Sequence, residues 1–186
     1  THFARHTSIA EAANVVTLRL YSVYGPWEEP TRLMPTLVAY ARRGRLPPLA
    51  DARVARDFVF VDDVVDAYLR VAASPVQGYG QVLNVASGVQ STLADVVACV
   101  RDLFGVDAEP RWGSMPDRAW DSDTWVGDPA AIAQAFGWRA ATSLNTERLS
   151  SPRTIRTGAR TDANCSGDGR YGGISRSPSN SAWFAR

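Results

Sequence analysis

The side chains of this 186-residue chain that could hold an anionic ligand include many arginines and no lysine. All 20 basic residues are arginine, so these residues contain no Schiff-base lysine, no phosphate-loop lysine and no tyrosine–lysine proton relay. An anion must therefore be bound by guanidinium groups, backbone N–H groups or hydroxyls. A guanidinium suits this task because its planar fork can donate two parallel hydrogen bonds to a phosphate.

Two clusters of residues could place such groups around a ligand. The first is LRLYSVYGP at residues 18–26, a buried strand that ends in a hydroxyl-rich turn. Ligands of parallel sheets bind beyond the carboxyl ends of strands, although an ordinary strand-to-turn junction has the same pattern. The second cluster, RDFVFVDDVVDA, places Arg56 directly before an apolar strand. Its guanidinium could bind phosphate, or it could pair with Asp57 or Asp51 at the surface.

A third cluster combines arginine with aromatic side chains. Arg118, Trp120 and Trp125 lie in a stretch without a regular pattern, directly before a predicted helix. Aromatic rings beside a guanidinium suit a sugar or nucleotide ligand, but six tryptophans in one chain also make chance placement credible.

Metal and hydrolase chemistry are disfavoured by the same sequence. Asp62, Asp63 and Asp66 could suggest a metal site, but a helix cap and first-turn charge explain them better. His2 and His6 lie four residues apart without an apparent third ligand, which favours a solvated helix face. Gly-x-Ser-x-Gly is absent, and no Ser-His-Asp arrangement is readable. We therefore predict no metal site and no nucleophilic triad.

Composition places the chain among ordinary globular proteins. Apolar residues make up 45% of it, and the formal net charge is +1, which argues against a dedicated nucleic-acid or membrane-surface protein. No apolar run approaches the roughly 18 residues of a membrane span, so we expect a cytoplasmic protein. Two cysteines provide no disulfide framework, and Cys99 lies in an apolar helical run where a buried thiol is expected.

The elements that would position these clusters alternate between strand and helix. Strands are predicted at residues 15–20, 54–61 and 81–86. Helices are predicted at the following places: residues 2–13; residues 33–43, ended by Gly44; from Asp62 as N-cap to about residue 73; from the capping box Thr92–Asp95 to Phe104, ended by Gly105; and from Asp128-Pro129 to Gly137. Strands that are apolar on both faces, alternating with helices, predict an α/β protein with a mostly parallel sheet.

The pattern ends near Asn145. Residues 151–186 contain six arginines, five glycines, six serines and only five large apolar residues. Such a composition does not offset the entropy cost of ordering, so we expect a disordered or poorly packed tail at residues 145–186. A shifted reading frame in a GC-rich gene would encode a tail of similar amino-acid composition.

Four segments together resemble the extended short-chain dehydrogenase/reductase family, specifically its NAD-dependent nucleotide-sugar epimerases and dehydratases. They are LRLYSVYGP (18–26), RDFVFVDDVVDAYL (56–69), LNVASG (83–88) and WVGDPAAIAQAFGW (125–138). Each is weak alone, but all four follow the family's order and approximate spacing. The resemblance implies the C-terminal part of a Rossmann-like fold plus a small substrate-binding subdomain. Residues 1–27 would end the dinucleotide-binding half and residues 28–144 would form the substrate-binding part.

The resemblance also implies roles for individual residues. Leu20 and Tyr21 would lie beside the nicotinamide end of NAD or NADP, and the arginines at positions 56 and 118 would clamp the diphosphate of a nucleotide-sugar substrate. A tryptophan at position 125 would exclude bulky N-acetyl sugars. The serine at position 22 replaces a common asparagine, which puts its phosphate contact in doubt. The implied substrate-binding residues are Ser22, Arg32, Leu33, Leu49, Arg56, Arg118 and Trp125, with Leu49 at the end of a strand over residues 46–49.

The family's two best-known motifs are missing from the chain. Neither its Gly-rich turn nor Tyr-x-x-x-Lys is present, and by the family's spacing that lysine would precede Thr1. We therefore expect a C-terminal half without catalytic residues, inactive alone and homodimeric when joined to the rest. Two alternatives stay open: a non-catalytic binding or regulatory relative, and a weak nucleic-acid interaction through the basic tail.

Overall fold

Ten helices and strands form the part of the chain that the computed structural model describes, residues 1–74, 80–115 and 121–144. In chain order they are α1 (His2–Ala10), β1 (Thr17–Leu20), β2 (Ser22–Tyr24), α2 (Leu33–Ala41), β3 (Ala55–Phe60), α3 (Val61–Ala73), β4 (Val82–Val85), β5 (Gln90–Thr92), α4 (Leu93–Phe104) and α5 (Ala130–Phe136). The predicted alternation of strands and helices is confirmed. The expected tail and Arg118 lie outside the described residues.

The strands form two small sheets that are mostly parallel. In the first sheet β1 pairs with β4 in parallel. In the second, β2 pairs with β3 in parallel and β3 pairs with β5 antiparallel. Parallel neighbours joined by helices are the α/β arrangement predicted from the sequence. The antiparallel strand β5 was not predicted, because three residues are too few to show a period.

Tyr21 is the point at which the chain passes from one sheet to the other. It lies between β1 and β2, and its N–H donates to the carbonyl of Val85 at the end of β4. The sequence predicts one strand at residues 15–20 followed by a hydroxyl-rich turn, whereas the structure forms a second strand, β2, within residues 22–24. The prediction that the first strand is buried is also wrong, since Leu20 is 42% exposed. Within the described residues β1 has a paired neighbour on one edge only.

Strand β3 divides the apolar interior into two clusters. Phe58 and Phe60 pack with Tyr24 and with helices α2 and α4, whereas Val59 packs with Ile132 and Trp138. Side chains of a strand alternate between its two faces, so one apolar strand can serve two cores. Full burial of each such side chain contributes about 1.5–3 kcal/mol. Strand β3 is therefore the central element of this layered arrangement.

The predicted ends of α4 at Gly105 and of α5 at Gly137 are confirmed, whereas α1 ends at Ala10 and α2 at Ala41, before their predicted ends at residues 13 and 43. Thr92 and Asp95 form the predicted capping box, and α4 ends at Gly105 in the left-handed conformation. Helix α3 begins at Val61 with Phe60 as N-cap, because β3 runs directly into it, so Asp62 lies in the first turn and does not cap. Helix α5 begins at Ala130, whose N–H donates to the Asp128 carboxylate across Pro129.

The strand predicted at residues 46–49 does not form. Pro47 and Pro48 have no N–H to donate to a ladder. Leu49 is held instead by Ser114, whose Oγ accepts from the Leu49 N–H at 2.9 Å and whose N–H donates to the Leu49 carbonyl at 2.9 Å. The segment therefore packs as an irregular loop against the core.

Candidate functional site

A cleft of about 400 Å³ opens at the carboxyl end of β1. Its lining residues are Leu20, Tyr21, Ser22, Arg32, Thr124, Trp125 and Val126. Five of these were predicted as site residues, although Trp125 lies more than 100 positions after Leu20 in the sequence. The cleft therefore has the location expected for a ligand site in a parallel α/β fold.

The Tyr21 ring lies against the backbone of the opposite wall. A Cβ added at Gly127 would lie 2.6 Å from Cζ of Tyr21 and 2.4 Å from Cβ of Ala86. Only glycine fits here, because real Cβ atoms do not approach other atoms so closely. Gly127 thus lets Tyr21 and the segment that carries Trp125 and Val126 approach each other across the cleft.

Arg56 lies behind Trp125 and is held from three directions. Its Nη2 lies 3.0 Å from Oδ1 of Asp121, its Nη1 donates to the carbonyl of Ala55 at 2.7 Å, and its guanidinium carbon lies 5.2 Å from the Trp125 ring centre. The side chain is 22% exposed. A guanidinium over an indole gains cation–π stabilisation of about 0.5–2 kcal/mol. The anticipated surface pairing of Arg56 with Asp57 or Asp51 does not form.

Asp57 points to the opposite side of β3 from Arg56 and is completely buried. Its carboxylate accepts four hydrogen bonds: from the N–H and the Oγ of Ser87, at 2.8 and 2.6 Å, from the N–H of Gly88, at 3.1 Å, and from the N–H of Gly127, at 3.0 Å. It therefore fastens the turn after β4 and the wall of the cleft to the central strand. The sequence signal was available, since an acidic residue inside an apolar strand needs buried donors.

Residues 121–125 are attached to the same sheet by further bonds. The N–H of Ala55 donates to the carbonyl of Ser122 at 2.9 Å. Gln90, on β5, donates from Nε2 to the carbonyl of Asp123 at 3.0 Å and accepts from the N–H of Trp125 at 3.0 Å. The wall that carries Trp125 is thus held by side chains and backbone of β3 and β5. Sequence reasoning identified neither Gln90 nor Asp57 as part of the site.

Arg32 faces the cleft from the start of α2 and is paired with Glu28. Nε of Arg32 lies 3.1 Å from Oε1 of Glu28, whose side chain is only 10% exposed. Burial raises the pKa of Glu28 above its ordinary value, and this effect exceeds the opposing attraction of Arg32. The buried Oε2 of Glu28 has no hydrogen-bond partner within the described residues. Glu28 is therefore a buried acid directly beside a cationic wall of the cleft.

The other predicted site residues lie elsewhere. Leu33 packs against the larger core cluster, and Leu49 is buried within it at 1% exposure. Neither lines the cleft, and Arg118 lies outside the described residues. Among those residues no group of three or more histidine, cysteine, aspartate or glutamate side chains could hold a metal ion. No helix of the described part is both long and apolar enough to cross a membrane.

Comparison with known proteins adds to this geometry. The sequence pattern of the NAD dependent epimerase/dehydratase family matches residues 2–86. The chain is therefore similar to this family over residues 2–86. The predicted resemblance is therefore confirmed, and so is dependence on NAD at the level of the family. The match ends at residue 86, directly before Ser87 and Gly88, whose groups donate to the Asp57 carboxylate.

Individual epimerases are also similar to this chain. The chain is 31% identical to UDP-glucose 4-epimerase of Mycolicibacterium smegmatis over 127 residues, which are 66% of this chain and 39% of the relative. It is 31% identical to dTDP-L-rhamnose 4-epimerase of Burkholderia thailandensis over 148 residues, 77% of this chain and 40% of the relative. The structure of UDP-glucose 4-epimerase of Thermotoga maritima with UDP-glucose matches with a TM-score of 0.70 at 25% identity.

The coverage shows how much of such a protein this chain represents. The chain spans 39–40% of the length of the two curated relatives. The structural match covers 83% of this chain and 48% of the Thermotoga protein. The Rossmann-like α/β fold class predicted from the sequence is confirmed, and the chain corresponds to less than half of each of these epimerases.

Proposed function

We propose that this chain provides the nucleotide-sugar pocket of an NAD(P)-dependent epimerase or dehydratase. The observation that carries the proposal is the cleft at the end of β1, which brings Tyr21 and Ser22 together with Arg32 and Trp125. These residues come from separate parts of the sequence, and the resemblance assigned each of them to a cofactor or substrate contact. In this proposal residues 1–27 complete a dinucleotide-binding half, and residues 28–144 surround the sugar nucleotide.

The charges and rings of the cleft fit a nucleotide sugar. Arg32 lines the cleft, and Arg56 lies directly behind the Trp125 ring. Two guanidinium groups supply charge-assisted hydrogen bonds to a diphosphate, each contributing about 1.5–3 kcal/mol. We propose Arg118 as a further diphosphate contact, and Trp125 as the ring that limits the size of the sugar.

The reaction we propose for the whole enzyme is hydride transfer between a sugar carbon and the nicotinamide of NAD(P), the chemistry that this cofactor supplies when bound. Leu20 and Tyr21, at the carboxyl end of β1, would contact the nicotinamide end. The chain contains no lysine, so it has no Tyr-x-x-x-Lys proton relay of its own. We therefore propose that these 186 residues bind the substrate but do not turn it over, and that the complete cytoplasmic enzyme is a homodimer.

Titration calorimetry with UDP, dTDP and their glucose conjugates tests the binding proposal. The chain should bind at least one nucleoside diphosphate, and the Trp125→Phe variant should lose the fluorescence change that accompanies binding. The absence of heat and of fluorescence change with all four compounds would contradict a nucleotide-sugar pocket. Sugar turnover by the 186-residue chain with NAD would show that the expected inactivity is wrong.

A further inference from the structure

The side-chain amide of Gln90 takes the place of a backbone partner for the wall of the cleft. Its Nε2 donates to the carbonyl of Asp123 and its Oε1 accepts from the N–H of Trp125, each at 3.0 Å. One donor and one acceptor directed at alternate residues is the pairing that a neighbouring strand would provide. The amide therefore holds the backbone of Asp123 and of Trp125, the two residues on either side of Thr124.

The backbone of Gln90 is held by strand pairing, which fixes the position from which its amide extends. It lies on β5 opposite Asp57 in the antiparallel ladder with β3. Asp57 is the buried carboxylate that binds the N–H of Gly127, two residues after Trp125. The same strand pair therefore anchors the wall at both positions, through a buried carboxylate on one side and an exposed amide on the other.

The Trp125 ring has two neighbours whose positions depend on this attachment. It lines the cleft beside Tyr21 and Ser22, and it lies under the guanidinium of Arg56 at 5.2 Å. The ring is 43% exposed, so surrounding side chains do not enclose it. Backbone attachment is then the main constraint on where the ring lies, because packing alone does not lock a half-exposed side chain.

We propose that Gln90 is a positioning residue that sets the Trp125 ring at the mouth of the cleft and thereby determines the size of the sugar that is accepted. The proposal rests on the proposed function for its ligand, a nucleotide sugar. Its structural part, that the Gln90 amide restrains the ring, does not depend on any ligand. Gln90 is not among the residues that line the cleft, so its proposed effect passes through Trp125.

Three substitutions separate positioning from general stability. Gln90→Met keeps the length of the side chain and removes both bonds. Gln90→Glu keeps an acceptor for the N–H of Trp125 but cannot donate to Asp123, so it should restore part of the effect. Gln134→Met makes the same chemical change at an exposed position of α5 and is the matched control.

The ligand-independent measurement is acrylamide quenching of Trp125 fluorescence. Each of the four proteins is compared with the same protein carrying Trp125→Phe as well. The difference between the two signals is the contribution of Trp125. Gln90→Met should make this contribution more accessible, with Gln90→Glu intermediate and Gln134→Met like the parent. Equal quenching in all four proteins would overturn the proposal, because the ring would then be held without the amide.

The ligand-dependent measurement is the ratio of the Kd values for UDP-N-acetylglucosamine and UDP-glucose, or for the thymidine conjugates if these bind better. Gln90→Met should lower this ratio by about tenfold, the scale on which a pocket discriminates by size. The Kd for the bare nucleoside diphosphate should change by no more than about twofold, as for an exposed substitution. Parallel loss of affinity for all three ligands would indicate a structural role and overturn the proposal.

The two measurements distinguish failure of this inference from failure of the proposed function. If the parent chain binds no nucleotide at all, the proposed function is wrong and the assignment of sugar selection to Gln90 falls with it. The quenching result then still decides whether the amide positions the ring. If the parent binds and Gln90→Met leaves the ratio unchanged, the pocket stands and the role of Gln90 is wrong.

Discussion

The Nη2 atom of Arg56 lies 3.0 Å from Oδ1 of Asp121, and the same guanidinium covers the Trp125 ring. The side chains of this ion pair are 22% and 16% exposed. Asp121 and Trp125 belong to the wall of the cleft, whereas Arg56 belongs to the central strand. The pair therefore connects the wall to the sheet and keeps a cation beside the cleft.

Arg56→Ala should weaken the binding of a nucleoside diphosphate by more than tenfold, which corresponds to about 1.5–3 kcal/mol for a charge-assisted contact. Calorimetry with the tightest-binding nucleotide checks this. The control is Arg53→Ala, since Arg53 is also paired with an aspartate but its side chain is 82% exposed. Similar affinities for the parent and both variants would remove Arg56 from the site.

Asp57→Asn should lower the free energy of unfolding by about 3 kcal/mol, because an amide cannot accept all four hydrogen bonds and would leave buried donors unsatisfied. Urea denaturation measures the loss. Asp51→Asn is the matched control, because its pairing with Arg53 is exposed to solvent and contributes little to stability. Equal losses in the two variants would contradict the anchoring role of Asp57.

Gly127→Ala should disturb the cleft because its new Cβ would overlap Tyr21 and Ala86. Overpacking of this kind costs about 1–3 kcal/mol. Gly44→Ala is the control, since Gly44 has a φ of 65° but open space around its Cβ position. Both variants should be less stable, but only Gly127→Ala should weaken ligand binding, which calorimetry can establish.

Glu28→Gln should become more stable relative to the parent as the pH rises. Burial raises the pKa of Glu28 in the folded state, so the folded chain binds this proton more tightly than the unfolded chain. The parent therefore loses stability as pH increases from the ordinary value of 4.5 through the raised value. The glutamine variant lacks this loss.

Thermal unfolding of the parent and Glu28→Gln at pH 4 and pH 7 makes the comparison. The difference in Tm, variant minus parent, should be larger at pH 7. A difference that is constant or larger at pH 4 would show that Arg32 stabilises the ionised carboxylate at least as much as burial disfavours it.

Local patterns were sufficient to predict several elements of this fold. The capping box at Thr92 and Asp95 and the left-handed glycines at positions 105 and 137 depend on residues within one turn of each other. Such signals are visible in a sequence because the interacting groups are a few residues apart. The displaced start of α3 shows where local reasoning fails, since β3 runs directly into the helix and its N-cap, Phe60, makes no side-chain hydrogen bond.

Only the tertiary structure shows that Arg56 and Asp57 have different roles, with Arg56 beside the cleft wall and Asp57 as a buried anchor. Neighbouring residues of a strand face opposite sides, but the sequence alone did not show which side held the partners. Those partners lie 30 to 70 positions away, at Ser87, Gly127 and Asp121. The same holds for Gln90, whose two bonds reach 33 and 35 positions along the chain.

The sequence by itself determined the α/β class, the family resemblance and the reliance on arginine in place of lysine, because composition and short motifs specify them. The tertiary structure decided which of the predicted residues share a cleft. It brought Leu20, Tyr21, Ser22, Arg32 and Trp125 together and placed Leu33 and Leu49 in the core. That sorting depends on strand pairing and side-chain packing between distant segments, which no local pattern records.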